Sequence, residues 1–224
     1  CLEKLTQFFG IFLLFWMDGL VSGFLVADPA MVRACELNFQ PVPQYDSVKL
    51  VAAVVQNGNT TSLSCRGGAN EKTLFRIASM TKSFVACAVL ILRDREMLDL
   101  TDHVSKHVPQ LSSLQKEATL FRFLTMSFGL PTDDPWADRL MDCDEQRFLQ
   151  ILSSVSSPCI EPGSSVEYSN LSYGILGRVI SNVSKMSFQQ FILQEILIPL
   201  GMRDTVWQVD ASSNWAAPCD GAPV

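Results

Sequence analysis

A chain of 224 residues with 48% hydrophobic content is long enough for one good-sized core, and a formal charge of −6 (pI near 4.9) argues against a nucleic-acid partner. Seven cysteines are scattered without metal-ligand spacing, and the two histidines, His103 and His107, have no third ligand nearby, so neither a metal site nor an organic cofactor is expected. Neither histidine has the sequence context of a Ser-His-Asp system.

In chain order, Phe8 to Met17 is an apolar run with Lys4 before it and Asp18 after. It is short for a membrane span, although the stretch to Ala27 is long enough if Asp18 is tolerated. Residues 1–27 therefore read as a signal peptide, a signal anchor, a buried helix or mistranslated non-coding sequence. Membrane contact through this segment stays open, as does localisation, with the cytoplasm as the alternative to secretion or membrane association. Residues 28–46, with three prolines and mixed polarity, read as a linker, and 47–224 as the folded domain.

Val48 to Gln56 is apolar and β-branched, and Asn57-Gly58 after it is a favoured two-residue hairpin signal, with Thr60 to Cys65 as the partner strand. Asn59-Thr60-Thr61 and Asn182-Val183-Ser184 are glycosylation sequons that matter only in a secretory setting. Phe84 to Leu92 is apolar on every side and predicts a buried helix, with Cys87 as a small core residue. Further helices are predicted near 117–126, at 144–155 with Asp144 as cap, from Leu171 to Val183, and from a Ser187/Gln190 capping box to Leu197, ended by Pro199 and Gly201. Cys143 and Cys159 bracket a short helical stretch and suit a disulfide if the protein is secreted. Trp136 lies in a loop, more as a packing residue than a stacking one. Strands first and helices after give an α+β fold.

The chemistry concentrates in two places. Ala78-Ser79-Met80-Thr81-Lys82 sets a serine and a lysine one turn apart where the apolar helix begins. That spacing puts the Ser79 hydroxyl and the Lys82 amine on one face, and the helix N-terminus adds partial positive charge. A serine needs such a base, and a buried lysine loses proton affinity by desolvation. Ser-x-x-Lys alone is common, and most instances are capping serines near solvated lysines. The second place is Pro162-Gly163, a turn, followed by Tyr168-Ser169-Asn170 at the head of another apolar helix. Tyr168 reads alternatively as a buried tyrosine with a satisfied hydroxyl, and Asn170 as an N-cap ahead of Leu171.

Together these resemble the first two signatures of the serine beta-lactamase-related family, which holds class C beta-lactamases, D,D-peptidases, D-aminopeptidases and esterases. Leu74 to Phe84 is similar to its nucleophile segment and Glu167 to Gly177 to its second motif, with the Tyr of the class C branch. Met97 to Asp102, Val108 to Leu111 and Ile198 to Thr205 are similar to its linking segments. Leu124 to Pro131 resembles its Leu-Thr-x-x-Ser-Gly-Leu-Pro stretch, with Phe128 where a Ser is usual. The resemblance implies a beta-lactamase/transpeptidase-like fold, an antiparallel sheet with a helical region.

It also implies a serine hydrolase acting through an acyl-enzyme on an ester, amide or beta-lactam bond of a small-molecule or peptide substrate. Ser79 would be the nucleophile, Lys82 and Tyr168 would share the proton work, and Asn170 would hold the Lys82 amine or the substrate amide. The backbone N–H of Ser79 would be one oxyanion donor. Nothing after Asn170 reads as the family's third motif, a Lys/His-Thr/Ser-Gly or His-x-Gly strand that supplies a second donor. The expectation is thus a chain lacking the C-terminal strands: a piece of a working hydrolase, or alternatively a truncated non-catalytic relative with a binding or scaffolding role. Loss of one oxyanion donor costs roughly 10²–10³ in rate.

Overall fold

The computed structural model describes residues 49–56, 59–131, 144–209 and 213–216. The N-terminal segment, the linker, the Asn57-Gly58 turn, Trp136 and Cys143 lie outside the described residues. The chain divides into two compact units, one formed by Cys1–Arg76 with Gln208–Val224, the other by Ile77–Trp207.

In the first unit, β1 (Leu50–Gln56) pairs antiparallel with β2 (Asn59–Arg66), from Leu50↔Arg66 to Gln56↔Asn59, with a bulge between Val54 and Val55. The Gln56↔Asn59 pair is the closing register that a two-residue Asn-Gly turn requires. Residues 213–216 return to this unit. Leu74 N–H donates to Asn214 O and Ala216 N–H to Leu74 O, both at 2.8 Å, while Lys49 Nζ donates to Trp215 O at 3.0 Å.

The second unit is helical. Val85, Ala88, Val89 and Leu92 of α1 (Thr81–Asp94) share one face and are buried. Phe84, Cys87 and Ile91 are half-buried against the same core and Ser83 is exposed, so the helix predicted to be buried all round buries one face and its flanks. It packs on α4 (Asn170–Ser184), whose Ile175, Leu176, Val179 and Ile180 complete that layer. The short α2 (Leu120–Leu124) and α5 (Phe188–Ile192) also pack on α4, and a π-helical turn, Leu193–Leu197, continues α5.

Capping signals hold where a side-chain oxygen meets an orphan N–H. Asp144 accepts from Arg147 N–H at 2.7 Å ahead of α3 (Glu145–Ser154), and Ser187 accepts from Gln190 N–H at 3.1 Å ahead of α5. The helix predicted near 117–126 shrinks to α2 for two reasons. Val104 N–H bonds Ala118 O at 2.8 Å and Thr119 bridges His103, which keeps the start extended; at the far end Met126 turns into the left-handed region (φ 52°).

Both histidines are absorbed by local structure. His103 bonds Ser105 Oγ at 2.7 Å and Gln115 O at 3.0 Å; His107 Nε2 lies 2.8 Å from Asp102 Oδ2. The second sequon serves the same region, since Asn182 Nδ2 donates to His107 O at 2.7 Å. Burial alone would raise the Asp102 carboxyl, but bonds from Asp99 N–H, Lys106 and His107 outweigh it and hold it at about 2, against 3.8. A depressed carboxylate contributes stability that is fully present above pH 3.8 and lost as pH falls through about 2. Asp102→Asn is expected to cost about 2 kcal/mol at pH 7 and to remove the acid limb between pH 4 and 2. Urea titrations at pH 7 and pH 3 check both; an unchanged acid limb would assign the instability to other carboxylates.

Candidate active site

Ser79 sits in a 3-10 turn, Ala78–Met80, that runs straight into α1. Ala78 before it has φ 42°, a left-handed conformation that costs a non-glycine residue about 1–3 kcal/mol. The turn leaves the Ser79 side chain exposed, and Lys82, in the first turn of α1, is half-buried beside it. Lys82 Nζ lies 3.1 Å from Ser79 Oγ, so the i, i+3 spacing brings the two together.

The second segment arrives on a ribbon. Cys159 N–H donates to Gly129 O, Gly163 N–H to Ser127 O, and Glu167 N–H to Met126 O, at 2.8, 2.8 and 2.9 Å. These bonds lay 159–167 along 126–129 and deliver Tyr168 at the head of α4. Its hydroxyl is 2.7 Å from Lys82 Nζ and hydrogen-bonded to Ser79 Oγ. With 42% of its surface accessible, Tyr168 is not the buried tyrosine of the alternative reading.

Asn170 corrects the sequence reading in another way. The N-cap of α4 is Ser169, fully buried, whose hydroxyl accepts from Ser172 N–H at 3.3 Å. Asn170 is the first residue of the helix, and its Oδ1 accepts from Lys82 Nζ at 2.6 Å. The ammonium thus has its three donors on Ser79, Tyr168 and Asn170. Three of the four residues singled out in the sequence converge on the amine of the fourth, Lys82.

A family model described as Beta-lactamase matches residues 33–216. The chain belongs to the beta-lactamase family. It is 33% identical over 146 residues to Protein flp of Staphylococcus aureus, covering 62% of this chain and 29% of that protein. It is 31% identical over 153 residues to Beta-lactamase-like protein 2 of Dictyostelium discoideum, covering 63% and 28%. The chain therefore spans just over a quarter of the length of these curated relatives.

Among solved structures, a class C beta-lactamase in complex with cefoxitin superposes with a TM-score of 0.70 at 24% identity, over 84% of this chain and 55% of that one. A D-stereospecific amidohydrolase from Streptomyces sp. gives 0.54 at 24% identity, over 63% and 46%. The fold is thus α+β and beta-lactamase-like, with a helical unit and a small antiparallel sheet.

Several features of this family member were not legible in its motifs. Phe128, which replaces the usual Ser, is fully buried and stacks on Phe123 with ring centroids 5.1 Å apart. The hydroxyl of neighbouring Ser127, also buried, bonds Thr125 Oγ1 at 2.8 Å. The pairing of 126–129 with 159–167 has no local signal beyond glycines at 129 and 163, both with positive φ. Tyr173 also escaped notice; its ring centroid is 6.0 Å from Lys82 Nζ. Among the described residues Cys159 is an exposed thiol with no disulfide partner, and Cys143 lies outside them. Among the described residues no group of three or more His, Cys, Asp and Glu is placed to hold a metal, and no helix is long and apolar enough to cross a membrane.

Proposed function

We propose that this chain carries the nucleophile and its proton-transfer partners in a serine hydrolase site acting through an acyl-enzyme on an ester, amide or beta-lactam bond. The observation that supports it most directly is the shared geometry of Ser79 Oγ, Tyr168 OH and Lys82 Nζ, with the amine 3.1 and 2.7 Å from the two oxygens. In this reading Tyr168 reacts as the phenolate: Ser79 Oγ bonds to the carbonyl carbon, the carbonyl π pair moves onto its oxygen, and the serine proton passes to the Tyr168 oxygen. The Lys82 N–H that meets this oxygen at 2.7 Å stabilises the phenolate until the proton arrives and again after it leaves.

Collapse of the tetrahedral adduct breaks the C–O or C–N bond, and the leaving atom takes the proton from Tyr168. Water then hydrolyses the acyl ester and returns a proton to Ser79. Asn170 has two parts in this scheme: Oδ1 fixes the amine, and its N–H groups are left for a substrate carbonyl. Relatives whose names specify a beta-lactamase or an amidohydrolase are consistent with cleavage at an acyl carbon.

The test is intact-mass analysis of the full-length protein after incubation with a fluorophosphonate and, separately, with a penicillin. One adduct per chain is expected, mapped to the peptide holding Ser79 and abolished in Ser79→Ala. A full-length protein that forms neither adduct would support a non-catalytic relative that binds or assembles instead.

A further inference from the structure

Tyr173 has no part in the proton path, yet it shares a helix face with one of the residues that does. Asn170 and Tyr173 are three apart in α4, so both side chains project from the same side of its first turn. Asn170 Oδ1 accepts from Lys82 Nζ, and the Tyr173 ring centroid lies 6.0 Å from the same nitrogen; the Tyr168 ring lies 4.7 Å away. The Tyr173 ring is not free to turn aside. Its hydroxyl donates to Leu124 O at 3.1 Å, at the end of α2, and its body is half-buried against the core. Burial, and to a smaller extent the charge on Tyr168, push the Tyr173 phenol up, so it keeps its proton and stays a fixed donor to that carbonyl.

We propose that Tyr173 is a positioning residue for Lys82: anchored through its hydroxyl to Leu124, its ring presents a π face that confines the ammonium where it meets Ser79 and Tyr168. The physical need is plain. A lysine amine rides on a flexible four-carbon stem, and three acceptors define where it should point without blocking other rotamers. An aromatic face within about 6 Å attracts a cation and occupies the space into which the stem would otherwise swing.

This inference rests on the proposed serine-hydrolase reading, and the experiment separates the two. The first-order rate constant of Ser79 acylation by a fluorophosphonate and the half-saturating probe concentration are measured for the full-length protein, Tyr173→Phe and Tyr173→Leu. In parallel, proton NMR follows the Lys82 ε-methylene signals, which lie in the shielding region of the aromatic rings.

Tyr173→Leu is expected to lose about tenfold in the rate constant with little change in half-saturation, and to move the Lys82 signals downfield. Tyr173→Phe, which keeps the ring but frees it from Leu124, is expected to fall between the parent and Tyr173→Leu in both the rate and the Lys82 shift. The inference is overturned if Tyr173→Leu acylates at the parent rate with the Lys82 signals unmoved. It is equally overturned if both variants lose rate while the Lys82 signals stay at their parent positions, since the ring would then not hold the amine. A parent protein with no Ser79 adduct would sink the hydrolase reading instead, while the Lys82 signals would still report whether Tyr173 holds the amine.

Discussion

Replacing Lys82 with Met is expected to lower the rate of Ser79 acylation by about 10³-fold or more. The amine touches both oxygens that exchange the proton in the proposed mechanism, Ser79 Oγ at 3.1 Å and Tyr168 OH at 2.7 Å. A positioned acid–base group contributes about 10²–10⁴ in rate. The same substitution removes the positive charge that opposes negative charge on Tyr168. Met has the stem length to fill the half-buried space, so the fold should survive. Lys82→Arg is the informative companion: it keeps the charge, but a planar guanidinium cannot place one nitrogen on three acceptors at 2.6, 2.7 and 3.1 Å. Pseudo-first-order labelling rates with a fluorophosphonate decide the matter. A Met variant within tenfold of the parent would remove Lys82 from the proton path, and an Arg variant at the parent rate would reduce its role to charge alone.

Gly129→Ala is expected to be the most damaging single-methyl change in the helical unit, at about 3 kcal/mol or more. Its φ is +92°, a conformation that strains any L side chain, and the new Cβ would stand 2.4 Å from Ile160 O and 2.9 Å from Ile160 Cγ1. Strain of this kind costs about 1–3 kcal/mol and forced overpacking about as much again. A backbone carbonyl cannot swing away as a side chain can. The ribbon must therefore part where Cys159 N–H bonds Gly129 O, and the far end of that ribbon delivers Tyr168. Gly201→Ala is the control: φ is +68° but a Cβ there meets nothing within 4 Å, so only the backbone cost of about 1 kcal/mol applies. Urea unfolding of the two variants, with the labelling rate of each, checks the argument. Equal losses would mean that the ribbon is not tightly packed at Gly129.

Much of the site could be read from residue order because its parts are local. Ser79 and Lys82 are three apart on one helix, and three residues on a helix is a distance. The hairpin register follows from Asn-Gly, and the caps at Asp144 and Ser187 follow from side chains that reach their own backbone. The cap of α4 was misread for a related reason. Ser169 and Asn170 are adjacent and both are good cap residues, so local chemistry does not rank them. Burial decides: Ser169 is enclosed and spends its oxygen on Ser172 N–H, while Asn170 faces an ammonium that local sequence does not reveal.

What the chain's order of residues determined, then, is the identity of the candidate site groups and the helices that carry them: a serine and a lysine at one helix start, a tyrosine and an asparagine at another. Tertiary structure alone decided that these two starts meet, across sequence separations of 86 and 88, on a single nitrogen. The reason is that a hydrogen bond between distant residues leaves no periodicity and no local propensity behind it. It exists because α1 buries its Val85-Ala88-Val89-Leu92 face against α4, and because the 126–129 segment pins 159–167 beside it. The same packing turned Phe128, read as a departure from motif, into half of a buried aromatic stack, and brought Tyr173 to the amine.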